Sequence, residues 1–365
     1  MSTTTSDPIF DNAVSLLKKL IATPSFSREE AGTAALISDF FKERSIPFRT
    51  IGNNILVSNK HWDPAKPTLL LNSHHDTVKP NESYSRNPFL PEVEDGKLFG
   101  LGSNDAGGPL VALIGCFIHY YDQPGLNYNI MLVASAEEEI SGSGGIESVL
   151  HALPAISFAL VGEPTLMQMA VAERGLMVID AEARGKAGHA ARNEGLNAIR
   201  IAVDDIQWLN QYQFPRVSTL LGPVQANVTV ISTENKAHNV VPDRCRFVID
   251  TRVNELYTFE EILDILRSNM TSILEPRSTR LKSSAISMEH PVVKSGLNAG
   301  LSCYGSPTSS DKALMPFPAL KIGPGDSARS HTADEFIYLD EIRQGIALYI
   351  QLLDPLLLRT STTNI

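Results

Sequence analysis

The chain has 365 residues, 43% apolar and 20% charged, with a net charge of −10, which suits a two-domain globular protein. The acidic balance without a clustered basic surface argues against nucleic acid, and no run nears the roughly 18 apolar residues that span a bilayer. Cys116, Cys245 and Cys303 lie far apart without CxxC pairing, which favours reduced thiols and a cytoplasmic location.

The opening MSTTTSDPIFDNAVSLLKKL lacks the basic and apolar regions of a secretory signal. Its Ile9, Phe10, Ala13, Val14, Leu17 and Leu20 recur at helical spacing and predict an amphipathic helix. Ser27-Arg28-Glu29-Glu30 has capping-box spacing and predicts a second helix to about Glu43. Strand-like runs follow at 54–58 and 68–73, then an apolar helix over about 108–121. Residues 130–134 and 158–161 are continuous apolar runs, as expected of strands covered on both faces. This alternation predicts an α/β domain with a mostly parallel or mixed sheet and flanking helices.

The character changes near Gly175. Segments 177–183, 226–232 and 246–253 alternate apolar and polar residues, as strands with one wet face do. Helical stretches are predicted at about 197–209 and 258–273. The α/β pattern resumes with a strand at 319–322 and a closing helix over 339–358. The reading is therefore a discontinuous domain, residues 1–175 and 288–365, carrying an inserted smaller α+β domain, residues 176–287.

Candidate site residues sit where apolar strands give way to polar loops, the edge on which an α/β sheet places its chemistry. The first strand ends in His74-His75-Asp76. A metal-bound imidazole usually gives its other N–H to a carboxylate, and His74 with Asp76 can supply both partners. His75 competes as the ligand but tends to point to the other side. Gly100-Leu101-Gly102-Ser103-Asn104-Asp105 resembles a phosphate loop, yet Asp105 stands where the dinucleotide fingerprint needs glycine. A carboxylate there fits a cation better and can bridge two metals. The plainer reading of Asp105 is a helix N-cap.

Glu137-Glu138-Glu139 follow a buried strand, a costly placement unless a cation lies among them. Glu163 follows the next strand, and His331 sits in the loop after the last one. Two imidazoles and several carboxylates converging at one sheet edge suit a pair of divalent metals, zinc by preference.

At these residues the chain resembles the di-zinc aminoacylase, carboxypeptidase G and acetylornithine deacetylase family. SHHDTV, GLGSNDAGG, AEEEISGSGG, VGEPT and SHTADE occur in the family's order and spacing. The resemblance implies two zinc ions, replaceable by cobalt or manganese. His74, Asp105 and Glu163 would hold one, and Asp105, Glu139 and His331 the other. It makes Asp76 the partner of His74 and Glu138 the general base, with Glu137/Glu138 as the competing base-and-ligand register. It implies that the inserted domain is a lid and dimerisation domain, so a homodimer is expected. His189 in GKAGHAA would stabilise the oxyanion, and Asn239 and Arg252 would grip a substrate carboxylate.

Ala106-Gly107 after the bridging acid and Lys79 after the His-x-Asp segment depart from the family's usual residues. The implied activity is hydrolysis of an N-acyl amino acid, with acetylornithine deacetylases the nearest match. Desuccinylase, dipeptidase and an inactive metal-bound scaffold are the alternatives.

Overall fold

The computed structural model describes residues 7–192 and 194–358. The apolar stripe near the start forms α1 (Pro8–Ile21), with Asp7 accepting from Ile9 N and Phe10 N at its head. The predicted capping box does not form. Helix α2 (Ala31–Glu43) is preceded by Glu30 without any side-chain cap: the chain turns at Arg28, φ 75°, and the Ser27 hydroxyl donates to Asp76.

Further elements of the first unit include β1 (Phe48–Ile51), β2 (Asn54–Ser58), β3 (Thr68–His74), α3 (Gly108–Tyr121), β4 (Asn129–Ser135), β5 (Ile156–Val161), β6 (Ala319–Lys321) and α4 (Leu339–Leu357). These strands lie in the order β1-β2-β4-β3-β5-β6 within a larger sheet. The first two strands are antiparallel to their neighbours, and β4, β3, β5 and β6 are mutually parallel, so the sheet is mixed. Strand β1, which pattern alone did not reveal, is a half-exposed edge hairpin with β2.

Both faces of the sheet are covered. Leu69, Leu71, Leu132 and Leu160 pack with α1, α3 and α4 residues such as Leu17, Leu113, Phe117 and Tyr349. Leu70, Met131, Val133 and Ala159 pack on the other side with Ile146 and Val149. Burial on both faces explains why these strands read as unbroken apolar runs. Parallel pairing then turns the carboxyl ends of β4, β3, β5 and β6 to a single edge.

This first unit comprises the chain up to Val171, Ile286–Tyr304 and the part from Ser310 on; the second is Ala172–Ala285 with Gly305–Ser309. The second unit has an antiparallel sheet of Gln225–Ser232, Arg244–Val253, Gly175–Arg184 and Ile273–Pro276, in that order. Residues along Gly175–Arg184 and Arg244–Val253 alternate in burial, as their sequence patterns require. Helix Ala198–Gln211 starts at its Asn197 cap. Helix Phe259–Asn269 starts at a Thr258–Glu261 capping box. It stops short of the predicted Ile273 because Asp205, buried on the other helix, accepts from Thr271 N and Ser272 N at 2.8 Å each. Among the described residues, no helix is long and apolar enough to cross a membrane.

Candidate metal centre

Strand alternation separates the two adjacent histidines. His75 has both ring nitrogens occupied, Nδ1 by the Thr33 hydroxyl and Nε2 by the Asn53 carbonyl, each at 2.9 Å. Burial lowers its pKa to about 4. His74 turns the other way, into a group of acids. Its Nε2 lies 3.3 Å from Asp105 Oδ1 and 3.9 Å from both Glu138 Oε2 and Glu163 Oε1. The side chain is 1% exposed, yet that nitrogen has no hydrogen-bond partner. Burial alone would lower the His74 pKa, but Asp105, Asp76, Glu138 and Glu163 outweigh it and hold it well above the ordinary value.

The second histidine faces the same acid. His331 Nε2 lies 3.6 Å from Asp105 Oδ2 and 3.0 Å from Glu139 Oε2. The Glu139 hydrogen bond raises its pKa to about 9. Asp105 is not a helix cap, since α3 begins at Gly108 after Gly107. Its two carboxylate oxygens instead address different imidazoles.

Of the three consecutive acids, Glu137 takes a left-handed backbone at φ 53° and folds its carboxylate over the following turn, where it accepts from Gly144 N. In the SGSGG segment a Cβ at Gly142 or Gly144 would meet that carboxylate, and one at Gly145 would meet the Ala136 carbonyl. Arg28 is its neighbour on the other side. Glu138 and Glu139 are left facing the histidines. Burial, then Glu163, Asp311 and Glu139, push Glu138 well above the usual carboxylate range against the pull of His74.

Asp76 does more than orient His74. The His74 Nδ1 is 3.0 Å from the Asp76 backbone carbonyl and 3.4 Å from its carboxylate. The carboxylate itself accepts from Glu138 N at 3.0 Å, Glu139 N at 3.2 Å and Ser27 Oγ at 2.7 Å. One buried acid thus holds both the imidazole and the acidic turn.

Sequence reading missed Ser27, Asp311 and Glu335. Asp311, buried, accepts from Ser135 Oγ at 2.6 Å at the end of β4. Glu335, in the quoted SHTADE, accepts from three backbone N–H groups around Asp105. The motif signalled Glu335 without signalling what it does.

The donor set fits divalent cations. His74, Glu138 and Glu163 form one group, and His74, Asp105 and Glu139 another, with ligand atoms within 4.8 Å of one another; the expected sets differ in having Asp105 in place of Glu138 in the first and His331 in place of His74 in the second. Ligands about 2.0–2.2 Å from a tetrahedral ion lie roughly 3.3–3.5 Å apart, close to the spacings above. Four acids against two imidazoles leave excess negative charge that a cation would offset.

The other expected residues lie in the second unit. His189 and Asn239 occupy adjoining segments: His189 pairs with Val240 across a short bridge, and Ala190 N donates to the Asn239 carbonyl. Both side chains are exposed. Arg252 is held in a two-pronged pair with Asp250, Nε at 2.7 Å and Nη2 at 3.1 Å.

An open α/β sheet with paired imidazole–carboxylate groups along its carboxyl edge is the architecture of a metallohydrolase. The chain belongs to the peptidase family M20/M25/M40, whose model matches residues 70–354.

It is 25% identical to a succinyl-diaminopimelate desuccinylase of Cereibacter sphaeroides, over 87% of this chain and 88% of that protein. It is 26% identical to an acetylornithine deacetylase of Proteus mirabilis, over 93% of this chain and 96% of that protein. In fold it is similar to aminopeptidase PepT of Bacillus cereus, with a TM-score of 0.76 at 16% identity over 95% of this chain and 98% of that one. It is also similar to the dinuclear metal-binding peptidase YXEP of Bacillus subtilis, with a TM-score of 0.70 at 13% identity over 95% and 98% of the two chains.

Proposed function

We propose that the protein hydrolyses the amide bond of an N-acyl amino acid, N-acetylornithine or N-succinylornithine, releasing ornithine as in arginine biosynthesis. The observation that carries this reading is Asp105 set between His74 and His331 with Glu138 alongside. In this proposal His74, Asp105 and Glu163 hold one zinc, and Asp105, Glu139 and His331 the other. Bound there, such ions would lower the pKa of an attacking water and polarise the acyl carbonyl.

Glu138 takes the water's proton and returns it to the leaving amine. Its burial among acids supports this role, since a base that must deliver its proton later benefits from a raised affinity for it. On the family resemblance, His189 steadies the developing oxyanion, and Asn239 and Arg252 orient the substrate carboxylate. For Arg252 this entails exchanging Asp250 for the ligand, or sharing it. The resemblance also supports a homodimer formed through the second unit, and the spaced cysteines a cytoplasmic location.

The similarity to desuccinylases favours a second reading, removal of succinate from succinyl-diaminopimelate. Metal analysis combined with assays on acetylornithine, succinylornithine, succinyl-diaminopimelate and a dipeptide separates the two. Acetylornithine or succinylornithine should show the highest kcat/KM. A clear preference for succinyl-diaminopimelate would transfer the assignment to the second reading, and no turnover on any of them by the metal-loaded protein would reject both.

A further inference from the structure

Just beyond His331, two consecutive acids bind two different loops. Asp334 accepts from the backbone N–H groups of Ser85 and Arg86, each at 2.9 Å, and from the Ser85 hydroxyl. Glu335 is 2% exposed and reaches the glycine-rich turn. Its Oε1 accepts from Asn104 N at 2.8 Å and Asp105 N at 2.9 Å, and its Oε2 from Gly102 N at 3.0 Å. Its own backbone carbonyl accepts from Gly100 N at 2.9 Å. Four of the N–H groups from Gly100 to Asp105 are thus taken by Glu335, while Pro88 O receives Leu101 N and Asp326 pairs with the Asn104 side chain.

That turn cannot supply these acceptors itself. Gly102 has φ 73°, and Asp105 is extended at φ −119° and ψ 99°, so the N–H groups at 102, 104 and 105 are not joined in a helical ladder. Asn104 is fully buried, which keeps water from replacing the lost partner. Asp105 is also the residue whose two oxygens face His74 and His331. The backbone atom one step from the bridging carboxylate is thus bonded to the residue four places beyond His331.

We propose that Glu335 is a positioning residue of the metal centre, setting the place of Asp105 between the two imidazoles. This rests on the two-metal reading above. Both oxygens of the Glu335 carboxyl group are used as acceptors for these three N–H groups. A glutamine of the same shape offers one oxygen and turns an N–H toward at least one of them, so the turn must shift and Asp105 with it. Groups that orient a metal ligand typically change affinity about 10–100-fold when altered.

The test is cobalt binding to the full-length protein, followed by calorimetry and visible absorption, on the parent and on Glu335→Gln, Glu335→Asp and Asp334→Asn. Glu335→Gln should weaken at least one cobalt site by about 10–100-fold and change its absorption band. The metal-free protein should still unfold cooperatively, with a melting temperature lowered by only a few degrees. Glu335→Asp keeps the charge and should lose less, while Asp334→Asn, which releases only the Ser85–Arg86 loop, should bind cobalt as the parent does. Parental affinity and spectrum in Glu335→Gln would overturn the proposal. So would an equal loss in Asp334→Asn, a matching collapse of the metal-free fold, or failure of both Glu335 variants to fold, since Glu335 would then serve the loop or the fold at large. A parent that takes up no cobalt would instead reject the two-metal reading itself.

Discussion

Ser27 and Asp76, 49 residues apart in the chain, are joined by a 2.7 Å hydrogen bond from the serine hydroxyl to the aspartate Oδ2. Asp76 also receives Glu138 N and Glu139 N, so the bond braces the acidic turn from behind. Ser27→Ala should lower metal affinity or kcat by about tenfold, the lower end of what such supporting partners give. Loss of a bond to a buried carboxylate should cost about 1.5–3 kcal/mol of stability. Unchanged metal affinity and turnover would show that the backbone donors alone suffice.

Glu138→Ala should retain both metals yet lose about 100- to 10,000-fold in kcat, the range attributed to general acid–base catalysis. Metal content measured beside steady-state kinetics decides this. Substantial residual turnover would remove Glu138 from the role of base.

Asp311 gives a pH-dependent prediction for the metal-free protein. Burial raises its pKa from 3.8 to about 6. Between those values the folded state keeps a proton that the unfolded state releases, so stability falls as pH rises from about 4 through 6. Above 6 the full penalty applies, at most about 3 kcal/mol for a shift of roughly two units. Asp311→Asn keeps an oxygen for the Ser135 hydroxyl and carries no charge. Its melting temperature should therefore exceed the parent's by more at pH 8 than at pH 4.5, in chelator. An advantage that shrinks with rising pH would contradict this sign.

The second-unit residues separate by kinetic parameter. His189→Ala should lower kcat about 100- to 1,000-fold with little effect on KM, as loss of an oxyanion donor does. Arg252→Ala should mainly raise KM, because a carboxylate grip acts on bound substrate and transition state alike. A His189→Ala enzyme with parental kcat would end the oxyanion assignment.

Much of the α/β sheet was readable because β3, β4 and β5 are buried on both faces and so appear as apolar runs that end abruptly. The half-exposed hairpin strand β1 carried no such signal. The capping box at Ser27 misled because the helix starts later, at Ala31, after Arg28 takes a left-handed backbone at φ 75°, while the Ser27 hydroxyl turns to Asp76, remote in sequence. The overlong helix predicted to Ile273 failed likewise, since Asp205 captures the N–H groups at 271 and 272.

The sequence by itself determined which residue types stand at the strand ends and in what order, because side-chain periodicity and loop composition are local properties. Tertiary structure decided which partners each of them meets. It turned His75 toward Thr33 and Asn53 while His74 met the acids, and it folded Glu137 over its glycine turn while Glu138 and Glu139 faced the imidazoles. It also brought Ser27, Asp311 and Glu335 behind the site. Hydrogen-bond competition among groups far apart in the chain settles such choices, and no local pattern records it.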